Sequence, residues 1–458
     1  MSLLSKLNEK NAEISDSPAR QRLAMLFDEG AFTQLDTFGR SENGPVEVIA
    51  GFGTVEGSPV YAFAQDSTVA GGAVSKAAAM KIKKVYDLAS KTGAPIVAVY
   101  DSKGARLAEG VDVLSAYGEM LLYANNISGV VPQIAVVAGT CGGTAAMLAA
   151  SADIVIMSEK AELFIGADGD KNAQAAAKAG VTHITAADDK EAMLAARSVI
   201  SKLPLNNLSA APISDFDEAD GCSEKFRAAS ENIAGADTSA LAACIADLGS
   251  ITELQKDFGT AVYTALAGIG GTTAGIVAFN GQVIDHKSAV KAARFVQFCD
   301  AYALPVITLV NTPGFQTDGC ACMIREAAKL SHAYAEATTP KIALITGKAI
   351  GAAYIALAGR AANADMVFAW PSAEIASLPE DAAVTILYHD RLAKNEKRAD
   401  LTAEYKENVS SAFAAAACGG VDDVIDPADT RVKIISAMDM LAGKRVSRMP
   451  KKHSNMPL

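Results

Sequence analysis

The chain has 458 residues, half of them hydrophobic and 20% charged, with 36 glycines and a net charge of −11. That length holds two or three domains with sizeable cores, and the composition excludes a disordered chain. The acidic balance argues against a nucleic-acid-binding surface but leaves room for a local basic pocket for a phosphorylated ligand.

From the amino terminus, Met1 to Arg20 is polar and lacks the apolar core of a signal peptide. The scattered cysteines point to a reducing cytoplasm, and since no apolar run approaches the roughly 18 residues of a membrane span, any membrane association is expected through a partner. Short β-rich runs follow, then a helical pattern from Ser75 to Leu88 and a continuous apolar strand from Ile96 to Tyr100. Continuous apolar strands point to a sheet covered on both faces, and their alternation with helices to α/β layering.

The order of elements then recurs. Pro95 to Gly104 matches Pro305 to Gly314, and Pro132 to Gly143 matches Pro340 to Gly351, at offsets of 210 and 208 residues. A period this long signals two related domains, not a solenoid. Residues of about 205 to 250, with Pro204, Pro212 and the acidic run Asp215 to Glu218, read as the connection, and helical patterning from Ser239 to Leu248 suggests that part of it packs. The expected division is an amino domain over 1–240 and a carboxyl domain over 241–458. Glu396 to Val409 is a charged helical pattern, and the basic tail from Lys444 reads as loose and solvated.

Chemistry is expected where glycines follow buried strands. The strand ending at Val137 runs through Gly139, Gly142 and Gly143 into the helix-forming Thr144 to Ala150, and Gly347, Gly351 and Ala352 repeat the pattern. Glycine at such a turn lets a ligand approach the backbone, and the first helical N–H groups lack internal partners. A preceding loop in each half, Asp101 to Arg106 or Asn311 to Phe315, should open at the same sheet edge. Two backbone donors from two loops can then converge on one oxygen, a preorganised oxyanion hole in which one donor supplies about 2.7–4 kcal/mol. The same glycines would equally serve tight strand–helix packing alone.

Other constellations carry little. There is no nucleophile elbow, no Walker loop and no pair of metal-spaced histidines, and His183, His286, His332, His389 and His453 stand alone. The seven cysteines show no spacing of a disulfide framework or zinc site, and Cys320 with Cys322 is too small a ligand set for a metal. Ala79-Met80-Lys81 has the local context of a biotinylated lysine but falls inside a helical pattern, whereas a biotin acceptor needs an exposed hairpin tip.

Gln65 to Gly72 followed by Lys81, Asp101 to Gly110, Asp285 to Phe295, Ala369 to Ile375 and Gly420 to Pro427 together resemble the carboxyltransferase (beta-type) subunits of biotin-dependent acyl-CoA carboxylases and the alpha subunits of sodium-pumping acyl-CoA decarboxylases. The resemblance is collinear from Ala19 to Arg431. It implies two α/β domains of the ClpP/crotonase type built from ββα spiral repeats, with acyl-CoA on the amino half and biotin, borne by a separate carrier protein, on the carboxyl half. It also implies a homo-oligomer, commonly a hexamer built as a trimer of dimers, with a biotin carboxylase or membrane decarboxylase subunits as further partners. No metal and no nucleic acid are expected.

Carried over by position, Gly143 and Thr144 with Ala105 would hold the acyl-CoA enolate. Gly351 and Ala352 with Gly314 or Phe315 would hold the enolate-like oxygen of biotin, and Gly71, Gly72 and Gly104 would contact substrate. The chain departs from the family in a shortened segment after Gly166 and a shortened loop after Phe315. Lys103 stands where a glycine is usual, Thr144 and Ala352 replace the second glycine of a pair, and Ile355 occupies a common aspartate position. Two other readings stay open: a non-catalytic scaffold paralogue, and a biotin-independent crotonase-type hydratase, isomerase or decarboxylase. The latter would need acidic side chains near the enolate, with Glu109 and Glu119 as the nearest candidates.

Overall fold

The computed structural model describes the chain except residues 1, 13, 15, 42, 43, 167, 318–320, 361, 362, 448 and 458. It divides into two compact units, Met1–Ser209 and Ala210–Leu458.

The first unit is built on a sheet that begins with the hairpin Val48–Val55 and Ser58–Gln65. Glu56 and Gly57, both at positive φ (49° and 78°), form its two-residue turn, the combination that matches strand twist. The strands Ile96–Ser102, Gln133–Gly142 and Ile154–Ser158 then add in parallel, each after a helical crossover. The helix Lys76–Thr92 starts where Ser75 Oγ accepts the Ala78 N–H at 3.2 Å and stops at Gly93, left-handed at φ 67°. Its buried face, including Ile82, Val85 and Tyr86, packs on Phe63, whose ring also meets Tyr100 edge-on at 5.8 Å.

The second unit repeats this order. Its hairpin, Val262–Ile269 and Thr272–Phe279, turns through Gly270 and Gly271 at φ 60° and 80°. The strands Val306–Thr312, Lys341–Ile350 and Met366–Ala369 follow in parallel, and the helix His286–Ala301 is capped by Asp285 Oδ1 on the Ser288 N–H at 2.8 Å. Each unit is thus an eight-stranded sheet with the same strand order, a hairpin at one side and parallel strands beyond it.

The helices Cys222–Glu231 and Thr238–Ile245 pack in the core of the second unit. Phe226 meets the ring of the fully buried Trp370 at 6.1 Å, and Trp370 Nε1 donates to Thr430 Oγ1 at 3.0 Å. The expected division gives residues 222–240 to the amino domain, whereas both helices pack in the carboxyl unit, because the apolar partners of Phe226 lie far along the chain. The described tail from Lys444 forms no helix or strand and is mostly exposed, as expected, yet two of its lysines are anchored. Lys444 Nζ donates to Asp365 Oδ2 at 2.7 Å and to the Thr339 carbonyl at 2.9 Å, and Lys451 pairs with Glu336.

Candidate active site

In both units the decisive feature is an irregularity between two parallel strands. Ile96 to Tyr100 pair residue for residue with Gln133 to Val137, then the register shifts so that Ser102 faces Cys141. Val306 to Val310 pair with Lys341 to Ile345, then Thr312 faces Ala349. Two extra residues bulge from the longer strand each time, re-aiming its end. The bulge needs glycine because a neighbouring side chain occupies the space of a Cβ. At Gly139 a Cβ would fall 2.1 Å from Asp101 Oδ1, and at Gly347 2.3 Å from Asn311 Oδ1.

Beyond the bulge the chain turns through Gly143 (φ 64°, ψ −131°) into the helix Thr144–Ala150, and through Gly351 (φ 58°, ψ −129°) into Ala352–Ala358. The Gly143 N–H is taken by the Phe164 carbonyl at 2.8 Å and the Gly351 N–H by the Ala376 carbonyl at 2.8 Å. These glycines shape the turn, and their N–H groups are engaged. The next N–H in each case, of Thr144 or Ala352, has no acceptor among the described residues.

The facing loops match as closely. Val74 donates to the Gly104 carbonyl at 2.8 Å and accepts from the Arg106 N–H at 2.9 Å, so the intervening Ala105 N–H points the opposite way, as alternation along an extended strand requires. Ile284 holds Gly314 and Gln316 identically, at 2.9 and 3.0 Å, leaving the Phe315 N–H outward. The Gly104 and Gly314 N–H groups fold back onto Ser102 Oγ and Thr312 Oγ1 at 3.1 and 3.2 Å. A Cβ on Gly104 would lie 3.8 Å from the Gly142 carbonyl oxygen and one on Gly314 3.9 Å from that of Ile350, so loop and turn adjoin in each unit.

Of the expected contacts, Thr144 with Ala105 and Ala352 with Phe315 therefore retain free donors, while Gly143, Gly351, Gly104 and Gly314 build the frame. Gly71 and Gly72 lie against the 101–104 loop. The Gly71 carbonyl accepts the Lys103 N–H at 3.1 Å, and a Cβ on Gly72 would fall 2.2 Å from the Asp101 carbonyl oxygen.

One support of the first site is invisible in local sequence. Arg22, buried on the helix Pro18–Leu26, donates to Asp101 Oδ2 at 2.8 Å, to Asp189 Oδ2 at 2.7 Å and to the Ala138 carbonyl at 3.2 Å. It thus ties both strands at the bulge. Ser67 Oγ adds a second donor to Asp101 at 2.8 Å.

Lys81 and Lys291, 210 residues apart, form a second duplicated feature that the repeat could have signalled. Both are buried, with Lys81 Nζ donating to the Asp36 carbonyl at 3.3 Å and Lys291 Nζ to that of Val262 at 2.8 Å. Burial brings each ammonium down to about 8. Lys81 is therefore a core residue, unlike an exposed biotin acceptor. Between pH 8 and 10.5 the unfolded chain holds these protons and the folded chain does not, so each lysine makes stability rise with pH there, by at most about 1.4 kcal/mol per pH unit. That contribution is lost as pH falls through 8. Urea titrations from pH 7 to 10.5 should show a shallower rise for Lys291→Met than for the parent chain.

The acidic candidates are engaged elsewhere. Glu119 is exposed and paired with Lys83 at 2.7 Å, and Glu109 Oε2 accepts the Lys76 N–H at 2.6 Å. Among the described residues no cluster of three His, Cys, Asp or Glu could hold a metal. Cys322 is disulfide-bonded, which removes its thiolate as a ligand, and Cys320 lies outside the described residues. His183 Nδ1 accepts the Val155 N–H at 3.1 Å, a structural role. No helix among the described residues is long and apolar enough to cross a membrane.

The carboxyl transferase domain matches residues 15–456. The chain belongs to the carboxyltransferase family of biotin-dependent acyl-CoA carboxylases and decarboxylases. It is 37% identical to the methylmalonyl-CoA carboxyltransferase 12S subunit of Propionibacterium freudenreichii subsp. shermanii, across 98% of this chain and 93% of that one. It is 37% identical to the methylmalonyl-CoA decarboxylase subunit alpha of Veillonella parvula (98% and 95% covered) and 36% to the propionyl-CoA carboxylase beta chain of Roseobacter denitrificans (96% and 93%). The crystal structure of the transcarboxylase 12S hexamer, with methylmalonyl-CoA and methylmalonic acid bound, superposes with a TM-score of 0.91 at 36% identity, covering 99% of this chain and 94% of that one. The duplicated crotonase-like architecture of this carboxyltransferase is thus that of its relatives, and the shortened segments leave both donor pairs in place.

Proposed function

We propose that this carboxyltransferase moves a carboxyl group between biotin on a separate carrier protein and a small acyl-CoA of the acetyl, propionyl or methylmalonyl type. The observation that carries the reading is the pair of unengaged backbone donors in each unit, repeated with the same geometry. In the amino unit the N–H groups of Thr144 and Ala105 receive the thioester oxygen as it gains enolate charge. In the carboxyl unit those of Ala352 and Phe315 receive the ureido oxygen of biotin, and donors of this kind fit an oxygen that gains negative charge. Bound there, biotin supplies the carboxyl group and a nitrogen able to carry the substrate proton. The protein's part is to position and to stabilise charge with dipoles that need no reorganisation.

Engagement of Glu109 and Glu119 leaves the hydratase reading without its acid–base groups, and two intact donor pairs weigh against a scaffold. The assembly we propose is a hexamer like that of the 12S relative, working in the cytoplasm with a carrier protein and either a biotin carboxylase or a membrane-embedded decarboxylase partner. The test is decarboxylation of malonyl-CoA and methylmalonyl-CoA by purified, assembled protein with and without free biotin. Turnover that requires biotin is expected, and its absence from a folded oligomer with both substrates overturns the reading.

A further inference from the structure

The amino unit holds an apolar cavity of about 560 Å³ beside the Thr144 turn that carboxyl transfer to a short acyl group leaves unused. Its walls include Leu121, Met147, Ala150, Phe164, Ile165 and Ala176, and Asp170 is the single charged residue among those lining it. Neither Thr144 nor Ala105 lines the cavity, but two of its walls adjoin the donor turn. Phe164 holds the Gly143 N–H at 2.8 Å, and Met147 stands three residues beyond Thr144, on the same face of the helix. Met147 and Ile165 are 49% and 75% exposed, large apolar surfaces that a hydrocarbon would desolvate.

Pockets of about 300–1,000 Å³ enclose whole drug-sized ligands, far more than the ethyl group of propionyl. The lining residues Phe164 and Ile165 on one side and Asp170, Ala175 and Ala176 on the other bracket in sequence the segment after Gly166 that is short here. The alignment with the 12S relative runs over 489 positions, more than this chain's 458 residues, so the relative carries additional segments.

We infer that this cavity is an acyl-chain site, and that the enzyme accepts linear acyl-CoA substrates longer than propionyl-CoA. The inference rests on the proposed function, since it requires the thioester oxygen to sit on the Thr144 N–H. A chain extending from the carbonyl carbon of that thioester would run along the helix face past Met147 toward Ala150. Along the apolar walls formed by Met147 and Ala150, away from Asp170, each methylene gains burial.

Isothermal titration of the assembled, full-length protein with CoA, propionyl-CoA, butyryl-CoA, hexanoyl-CoA and octanoyl-CoA tests it. Affinity is expected to rise about fourfold per methylene, roughly 60-fold from propionyl-CoA to hexanoyl-CoA. Ala150→Phe, and independently Ala176→Phe, should flatten that rise in protein whose assembly is confirmed by native mass. Binding of propionyl-CoA with no gain on lengthening overturns the inference and leaves the proposed function standing. So does a uniform weakening of every ligand including CoA in both variants, which would assign the cavity to the pantetheine arm. Failure to bind any thioester overturns the proposed function and the inference with it.

Discussion

Thr144→Pro is expected to lower biotin-dependent turnover of methylmalonyl-CoA by about 10²–10³-fold, the loss typical of one oxyanion-hole donor. Thr144 is the first residue of its helix, a position at which proline is pre-organised and its missing N–H costs no helical hydrogen bond. The substitution therefore deletes the proposed donor while the turn at Gly143 and its bond to Phe164 remain. Thr144→Ser and Thr144→Ala keep the N–H and should retain near-parental rates, which separates the backbone donor from the hydroxyl. Ala352→Pro is the matching deletion in the carboxyl unit, with a loss of the same order. Circular dichroism and native mass establish that the variants fold and assemble. Parental turnover by folded Thr144→Pro would remove this N–H from the mechanism.

The second large effect is expected at Arg22. Arg22→Met keeps the packing volume but leaves the Asp101 carboxylate buried without its cation, at a cost of about 3 kcal/mol. The lower end of the range for broken buried pairs applies because Asp189 keeps access to water. Urea denaturation monitored on the amino unit should show the shift. Activity should fall further than the fraction unfolded explains, because Asp101 carries the loop that aims the Ala105 N–H, and a misplacement of about 1 Å can cost 10²-fold. Arg22→Lys should recover part of the stability but little of the rate, since an ammonium cannot reproduce the fork that reaches Asp101, Asp189 and the Ala138 carbonyl together. Equal losses in rate and folded fraction would confine Arg22 to a purely structural role.

Much of the arrangement was legible before any coordinates. The strands Ile96–Ser102 and Val306–Thr312 announce themselves as continuous apolar runs, and the equal spacing of proline and glycine in both copies shows that they belong to one duplicated unit. Glycines 143 and 351 mark the turns correctly, because positive φ before a helix leaves a local trace in residue type. The assignment of donors did not follow from it. Whether the Gly143 N–H or the Thr144 N–H is free depends on Phe164, which arrives from another strand.

The parts that stayed hidden share a cause. Arg22 reaches Asp101 and Asp189 across 79 and 167 residues of chain, and no local pattern records such a pairing. The repeat marks Lys81 and Lys291 as a pair, but they contradict the ordinary rule that lysine is exposed, so their place in the core shows only in their burial. The helix Cys222–Glu231 looked like connection because its apolar face is narrow, and Trp370 supplies its partner.

By itself, then, the sequence determined the duplication, the α/β class, the glycine turns at the strand ends and the family, since each is written in periodicity, glycine placement or collinear motifs. The tertiary structure alone decided which N–H groups are free, what holds the Asp101 loop and where an acyl chain would find space. Those are properties of groups brought together from distant parts of the chain, and hydrogen bonding and burial exist only once they meet.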